Sequence, residues 1–263
     1  MDMEHDDYER RFGGVGRLFG DAGWQRFQAA HVCVIGLGGV GSWAAEALAR
    51  SAVGKLTLID LDNVAVSNVN RQLHAMNGEF GKPKVTAMSQ RLKAINPRCD
   101  IVEIEEFVEE ANFDRTLGAG YDCVLDCIDG VRTKAALIAY CRERAIPLVT
   151  VGGAGGQVDP TQIKVSDLAL TIQDPLLAKV RALLRKNYGF PREAKRKFGV
   201  ECVFSTEPLR YPEVACEVDE VPQRPQGLNC AGFGSSMCVT ATFGLFAAAR
   251  VLNQLSAGTL TES

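Results

Sequence analysis

Several things are missing from this chain. None of its nine cysteines stands in a Cys-x-x-Cys pair, and nine is an odd number; that excludes a zinc clamp or dithiol redox pair of the usual spacing. An excess of positive charge is also missing. The 29 Lys and Arg are outnumbered by 32 Asp and Glu, for a formal charge of −3, so any contact with a polyanion must come from a local patch. Long apolar runs are scarce as well. The acidic start Met1-Asp2-Met3-Glu4-His5-Asp6-Asp7 offers nothing like the hydrophobic stretch of a secretory signal. The expectation is a chain of the reducing cytoplasm whose cysteines are mostly buried small hydrophobes. Only residues 231–249 are uncharged for the length of a minimal membrane span, and they include Ser235, Ser236, Thr240, Thr242 and three glycines. They read as a buried or half-buried helix closing a soluble domain, with membrane contact left open.

What is present is a packed globule. Of 263 residues, 46% are hydrophobic and 23% charged, a balance that rules out a disordered or fibrous chain. Apolar runs alternate with helical stretches over the first 151 residues. Strands are expected at 31–35, 56–59, 101–105, 121–126 and 147–151, with helices at 40–51, 84–95 and 132–144. Repeated strand and helix make a doubly wound, mostly parallel α/β sheet of Rossmann-like type. Residues 1–156 form this nucleotide-binding core with an N-terminal arm. Residues 157–263 form a C-terminal lobe of strands and helices packed on the same core. Within it, Asp174-Pro175 opens a helix, and residues 207–229, rich in proline, make a long surface loop. Residues 179–197 set eight cations, Lys179, Arg181, Arg185, Lys186, Arg192, Lys195, Arg196 and Lys197, against the single acid Glu193. Such a segment suits the phosphates of a nucleic acid, or is an ordinary solvated face.

The most specific local signal is Gly36-Leu37-Gly38-Gly39-Val40-Gly41-Ser42, set between a strand and a helix. Gly36 permits a tight turn, Gly38 lets backbone approach a phosphate, and Gly41 lets the helix pack closely. Asp60 ends the next strand, 19 residues after Gly41, placed to accept from a ribose hydroxyl. A dinucleotide dehydrogenase would share these features, but three others argue against one. Asp62 is followed by Ser67-Asn68-Val69-Asn70-Arg71-Gln72, which has no evident use in hydride transfer. Gly81-Lys82-Pro83-Lys84 puts lysines at a helix start, within reach of a β- or γ-phosphate. Leu125-Asp126-Cys127-Ile128-Asp129 brings carboxylates to a strand's C-terminal end. These are the parts of a triphosphate and metal site. Arg71 could instead pair with Asp62 or Glu46, Lys84 could be a surface residue, and Asp126 reads as a structural acid, second to Asp129. His74 either faces the pocket or makes a local hydrogen bond.

Taken together, GLGGVGS, DLDNVxxSNxNRQ, GKPK and LDCxD over about residues 8–156 closely resemble the adenylating enzymes related to ubiquitin-activating enzymes and to the bacterial activators of molybdopterin and thiamine biosynthesis. Within that ThiF/MoeB-type superfamily the chain is most similar to the tRNA threonylcarbamoyladenosine dehydratases, on Arg11–Gly14, Lys134–Cys141, Gly152–Pro160, Thr171–Pro175 and Cys202–Glu207. The resemblance implies ATP and Mg2+ use, and a carboxyl adenylate formed on N6-threonylcarbamoyladenosine next to the tRNA anticodon. Pyrophosphate and AMP leave, and a ring closes with formal loss of water. It implies Asp60 on the ribose, with Gly36, Gly38, Gly39, Gly41, Asp62 and Gln72 around the nucleotide. Asn68, Arg71 and Lys84 would lie on its phosphates and Asp129 beside magnesium. Arg11 would reach across a homodimer into the partner's site. A rival reading within the superfamily is an activator of a sulfur-carrier or ubiquitin-like protein's C-terminus, and a sulfur-trafficking partner stays open. Zinc-bearing members use two Cys-x-x-Cys pairs, so no zinc is expected here. Members that form thioesters or persulfides need an exposed reactive cysteine; Cys202, Cys216 and Cys230 lie in the right general half of the chain, but nothing in the sequence marks one as activated.

Overall fold

The computed structural model describes residues 3–193, 196–211 and 233–257. The run His31–Ile35 is strand β1, and its last four side chains are buried, as befits a strand covered on both faces by helices. Alternation sorts these side chains: Val32 and Val34 enter one core, Cys33 and Ile35 another. Parallel strands flank β1, with β2 (Lys55–Ile59) on one side and β4 (Cys123–Asp126) on the other, and Ile35 stands opposite both Ile59 and Asp126. β3 (Asp100–Ile104) lies outside β2 at the sheet edge, which is why so much of it faces solvent. On the other side follow β5 (Leu148–Val151), β7 (Glu201–Ser205) and β6 (Ile163–Asp167). The seven strands run in the order β3-β2-β1-β4-β5-β7-β6, and β6 alone is antiparallel to its neighbour.

One face is covered by α2 (Gly41–Arg50), α3 (Lys84–Ile95) and α7 (Met237–Ala257). On the other lie α4 (Phe113–Leu117) and α5 (Val131–Glu143), with α6 (Pro175–Asn187) beside α5. The expected cap of α6 is present: the Asp174 carboxylate accepts from the Leu177 N–H and Pro175 fills the first position.

α7 begins at Met237, six residues after the start of the uncharged run 231–249, and buries Val239, Phe243, Ala247 and Val251 against α2, the N-terminal helix and the sheet. Gly244 lets it approach α2, since a Cβ there would stand 2.4 Å from the Val40 carbonyl oxygen. By length and composition α7 could cross a membrane, yet its buried stripe belongs to the central core. The N-terminal arm is a helix, α1 (Met3–Ala29), bent at Gly20, where φ is 75° and ψ 163°. It docks Tyr8 and Phe12 on Ala52 and buries Phe27 completely. Its widely spaced apolar residues, interrupted by glycines, hide this helix from a periodicity reading.

Of the expected 207–229 loop, residues 212–229 lie outside the described residues, as do Cys216, Cys230 and Lys195.

Candidate active site

Strand order reverses at β1: β2 departs to one side and β4 to the other, so the C-terminal ends of β1 and β4 open a crevice. The glycine turn lies in it. Gly36 has φ +87° and sits against the Cys127 carbonyl, while a Cβ on Gly41 would fall 1.8 Å from the Gly36 oxygen, so no larger residue fits at the start of α2. Gly38 is different. A Cβ there would meet nothing within 4 Å, leaving the backbone open to the close approach that a phosphate needs. Ser42 ties the turn down: its hydroxyl donates to the Gly38 carbonyl at 2.7 Å and accepts from the Leu73 N–H at 3.3 Å.

Gly39 meets Arg71, whose Cγ would be 3.0 Å from a Cβ at that glycine. The arginine stem thus lies across the glycine turn. Its Nη1 donates to the Ser67 carbonyl and to Asn70 Oδ1, both at 2.9 Å, and the Trp43 indole N–H donates to the Arg71 carbonyl at 2.9 Å. Neither Asp62 nor Glu46 takes Arg71; Glu46 is occupied by Arg50 and Arg91. Asn68 is buried, and its Oδ1 accepts from the Ala65 N–H at 3.0 Å, closing the turn that presents Arg71. Gln72 is buried beside it, and its Oε1 has no partner among the described residues.

Asp60, the residue after β2, accepts from the Leu37 N–H at 2.6 Å and from the Asp62 N–H at 2.8 Å. Burial raises its pKa, against the pull of the nearby Lys84 ammonium. Lys84 is 6% exposed, and its Nζ stands 2.7 Å from Asp62 Oδ2 and 3.8 Å from Asp60 Oδ1. Asp129 is half-buried in the turn between β4 and α5. Its neighbour Asp126 is fully buried against Lys134 Nζ at 2.7 Å, with Thr150 Oγ1 donating at 2.7 Å and the Ile128 N–H at 3.0 Å. Asp126 is therefore structural. Among the described residues no group of three His, Cys, Asp or Glu could hold a metal. A single carboxylate such as Asp129 still fits Mg2+, which usually keeps several waters and is bound through one or two carboxylates plus phosphates.

Other expected residues lie elsewhere. Arg11 pairs with Asp7 at 2.8 Å and donates to the Ile95 carbonyl at 3.3 Å. That is the C-terminal end of α3, about 16 Å along the helix from Lys84, so Arg11 does not join these residues within its own subunit. His74 is buried with neither ring nitrogen partnered among the described residues, and lines a cavity of about 380 Å3 with Glu79 and Arg91, apart from the glycine turn; neither reading of it from the sequence anticipated this. Burial lowers its pKa to about 4, helped by Lys84. Within the basic segment Lys179, Lys186, Arg192, Arg196 and Lys197 are exposed. Arg181 and Arg185 are half-buried and engaged, the first on the Thr171 hydroxyl, the second on the Pro191 carbonyl at 3.1 Å and over the Phe198 ring. Burial pushes the Cys202 thiol well up, and Cys123 and Cys141 up to about 12, the opposite of activation.

The sequence reading missed Trp43, Asn70 and Ser235, which position Arg71 or tie its turn to α7; polar residues beside a glycine motif were the available signal. It also missed Lys134, the buried partner of Asp126.

The ThiF family model matches residues 10–262. The chain is 54% identical to tRNA threonylcarbamoyladenosine dehydratase of Haemophilus influenzae over 95% of each chain. The structure is similar to E. coli tRNA N6-threonylcarbamoyladenosine dehydratase in complex with ATP, at a TM-score of 0.88 and 49% identity over 98% of each chain. It is similar to the AMP complex of that enzyme too, at 0.86 and 50% over 96% of each. Family model, relative and fold agree over nearly the whole length, and the chain therefore belongs to the ThiF family, in its tRNA threonylcarbamoyladenosine dehydratase branch.

Proposed function

We propose that this protein dehydrates N6-threonylcarbamoyladenosine in tRNA at the expense of ATP. The threonyl carboxylate attacks the α-phosphorus, the bond to the bridging oxygen breaks, and pyrophosphate leaves. A nucleophile within the same modified nucleoside then attacks the acyl carbon and AMP departs with the former carboxylate oxygen, so the product is smaller by one water. A carboxylate is a poor electrophile and its adenylate a good one; ring closure gains from having both reactants in one molecule.

The observation that carries this reading is the placement of two cations at the glycine turn, Arg71 across Gly39 and Lys84 buried between Asp60 and Asp62. Hydride transfer to a dinucleotide has no use for them. Phosphoryl chemistry does, because they stabilise charge that grows on the leaving pyrophosphate. Asp60 holds the ribose. Gly38, Gly39 and Gly41 present backbone N–H groups to phosphate, with Asn68 and Gln72 shaping the wall. Asp62 holds Lys84 until a phosphate competes for its ammonium. Asp129 would hold Mg2+, which when bound neutralises phosphate charge. Arg11 serves the partner subunit's site in a homodimer, for which the exposed stripe Met237, Cys238, Leu245 and Phe246 on α7 offers an apolar contact face. The exposed cations of 179–197 bear on tRNA phosphates.

The deciding experiment is mass analysis of nucleosides from tRNA incubated with ATP, Mg2+ and this protein. Loss of one water from the threonyl-bearing adenosine supports the proposal. Pyrophosphate exchange that depends on a small protein ending in Gly-Gly, and not on tRNA, would replace it with the sulfur-carrier reading.

A further inference from the structure

The crevice has a second side. Beyond Arg71 lies a cavity of about 450 Å3, with Val66, Val69, Asn70, Phe233 and Ser235 also on its walls. We infer that this cavity is the acceptor pocket, which takes the purine and threonyl arm of the modified adenosine while ATP lies on the glycine side of Arg71.

Its chemistry differs from that of a triphosphate cradle. Arg71 is the one cation among its lining residues, and three of the walls are apolar. Val66 is 70% exposed and Val69 54%, so neither contributes much to the core; both are free to cover a ligand. Phe233 pairs with the Tyr211 ring at a centroid distance of 5.2 Å. An aromatic and two branched aliphatic side chains suit a base pulled out of its stack, the usual way single-stranded RNA is read. The volume falls within the range of small-ligand pockets.

The polar atoms are placed for the arm. The Asn70 amide donates to Ser235 O at 3.2 Å and to Ser235 Oγ at 3.1 Å, while its carbonyl oxygen accepts from Arg71. This bridge ties the 66–71 turn to the segment leading into α7 and holds the Arg71 guanidinium at the cavity wall. With Nη1 engaged on Ser67 and Asn70, the other edge of the guanidinium stays available for a carboxylate. A carboxylate paired there would be held beside the nucleotide, from where it can reach the α-phosphorus opposite the leaving pyrophosphate, as an in-line displacement requires.

The inference rests on the proposed function, and its test separates the two. Binding of the free nucleoside N6-threonylcarbamoyladenosine, measured by calorimetry, needs no turnover. Wild type should bind it, and Val69→Glu, a change at an exposed position that sets a negative charge facing the threonyl carboxylate, should weaken that binding about tenfold or more. The same variant should raise KM for modified tRNA while keeping ATP affinity, affinity for unmodified tRNA and oligomeric state. The milder Val69→Ala should weaken nucleoside binding less. Nucleoside binding unchanged in Val69→Glu overturns the assignment. So does a parallel loss of ATP affinity, which would make the cavity part of the triphosphate site, or a loss of dimer, which would make it a subunit contact. Wild type that binds the nucleoside in this pocket but never dehydrates tRNA would leave the pocket standing and remove the proposed function.

Discussion

The two strands that flank β1 end in the same chemical parts and put them to different use. After β2 a lysine meets two carboxylates, Lys84 between Asp60 and Asp62; at the end of β4 another meets one, Lys134 on Asp126. The second pair is closed. Both side chains are 0% exposed, and the Lys134 ammonium also donates to Thr150 Oγ1 at 3.1 Å. The first pair is open, because Asp62 is 56% exposed and water or phosphate reaches it. A desolvated ion pair with every site filled holds the sheet and the turn carrying Asp129 in place. One with a wet partner is free to change partners, which is what a ligand site needs.

The comparison breaks if the two lysines behave alike. Lys134→Met leaves Asp126 buried and unpaired and should cost about 3–5 kcal/mol in urea unfolding. Lys84→Met should cost less, about 1–2 kcal/mol, because Asp62 already stands in water and Asp60 keeps the Leu37 and Asp62 N–H donors, while turnover falls about a hundredfold or more from the loss of one charge-stabilising donor. Equal destabilisation by both changes would refute the distinction.

The next effect belongs to His74, on the open side. Glu79, Lys84 and Arg91 face it, and burial depresses its pKa from 6.5 to about 4. A group depressed on folding contributes stability that is present above its unfolded pKa and lost as pH falls. Stability against urea should thus decline between about pH 6.5 and 4, by up to about 3 kcal/mol from this residue. His74→Leu should flatten that limb; an unchanged limb would place its cause elsewhere.

Smaller in free energy is the exposed cationic face. Reversing Lys179, Lys186, Arg192, Arg196 and Lys197 together should weaken tRNA binding about a hundredfold at low salt and flatten its salt dependence, leaving ATP affinity unchanged by calorimetry. Reversal without effect on tRNA would make these residues an ordinary solvated face. Smallest is Trp43→Phe, which keeps an aromatic ring but deletes the hydrogen bond to the Arg71 carbonyl. A loss of about tenfold in kcat with little change in KM for ATP is expected, equivalent to about 1.4 kcal/mol. A change in KM alone would show that Trp43 shapes binding and not the placement of Arg71.

Much of this was legible beforehand because its physics is local. Short, continuously apolar runs mark β1, β2 and β4 as strands buried on both faces, and the glycines at 36, 38 and 41 mark a turn that must sit against backbone and ligand. Asp174-Pro175 announces the start of α6. Other features were illegible because they depend on distant partners. α1 has too weak a periodicity to declare itself and forms by docking Tyr8, Phe12 and Phe27 onto residues far along the chain. The place of β7 beside β5, with β6 antiparallel outside it, is a matter of pairing between segments 34 to 52 residues apart. The count of eight cations in 179–197 did not separate Arg181 and Arg185, engaged with their own fold, from the exposed ones.

Residue order alone settled the doubly wound core, the phosphate-approaching turn and the types of side chain gathered at the strand ends, since periodicity, glycine conformation and strand polarity act over a few residues. Which acids are open and which sealed was left to packing. Asp62 and Asp126 look equivalent as letters, and only the packing of Lys134 and of Thr150 from the neighbouring strand around Asp126, with Asp62 left 56% exposed, sets how much water each keeps. The same is true of Arg71, whose place between the glycine turn and the cavity of about 450 Å3 exists only because Trp43, Asn70 and Ser235 come together from three separate parts of the chain.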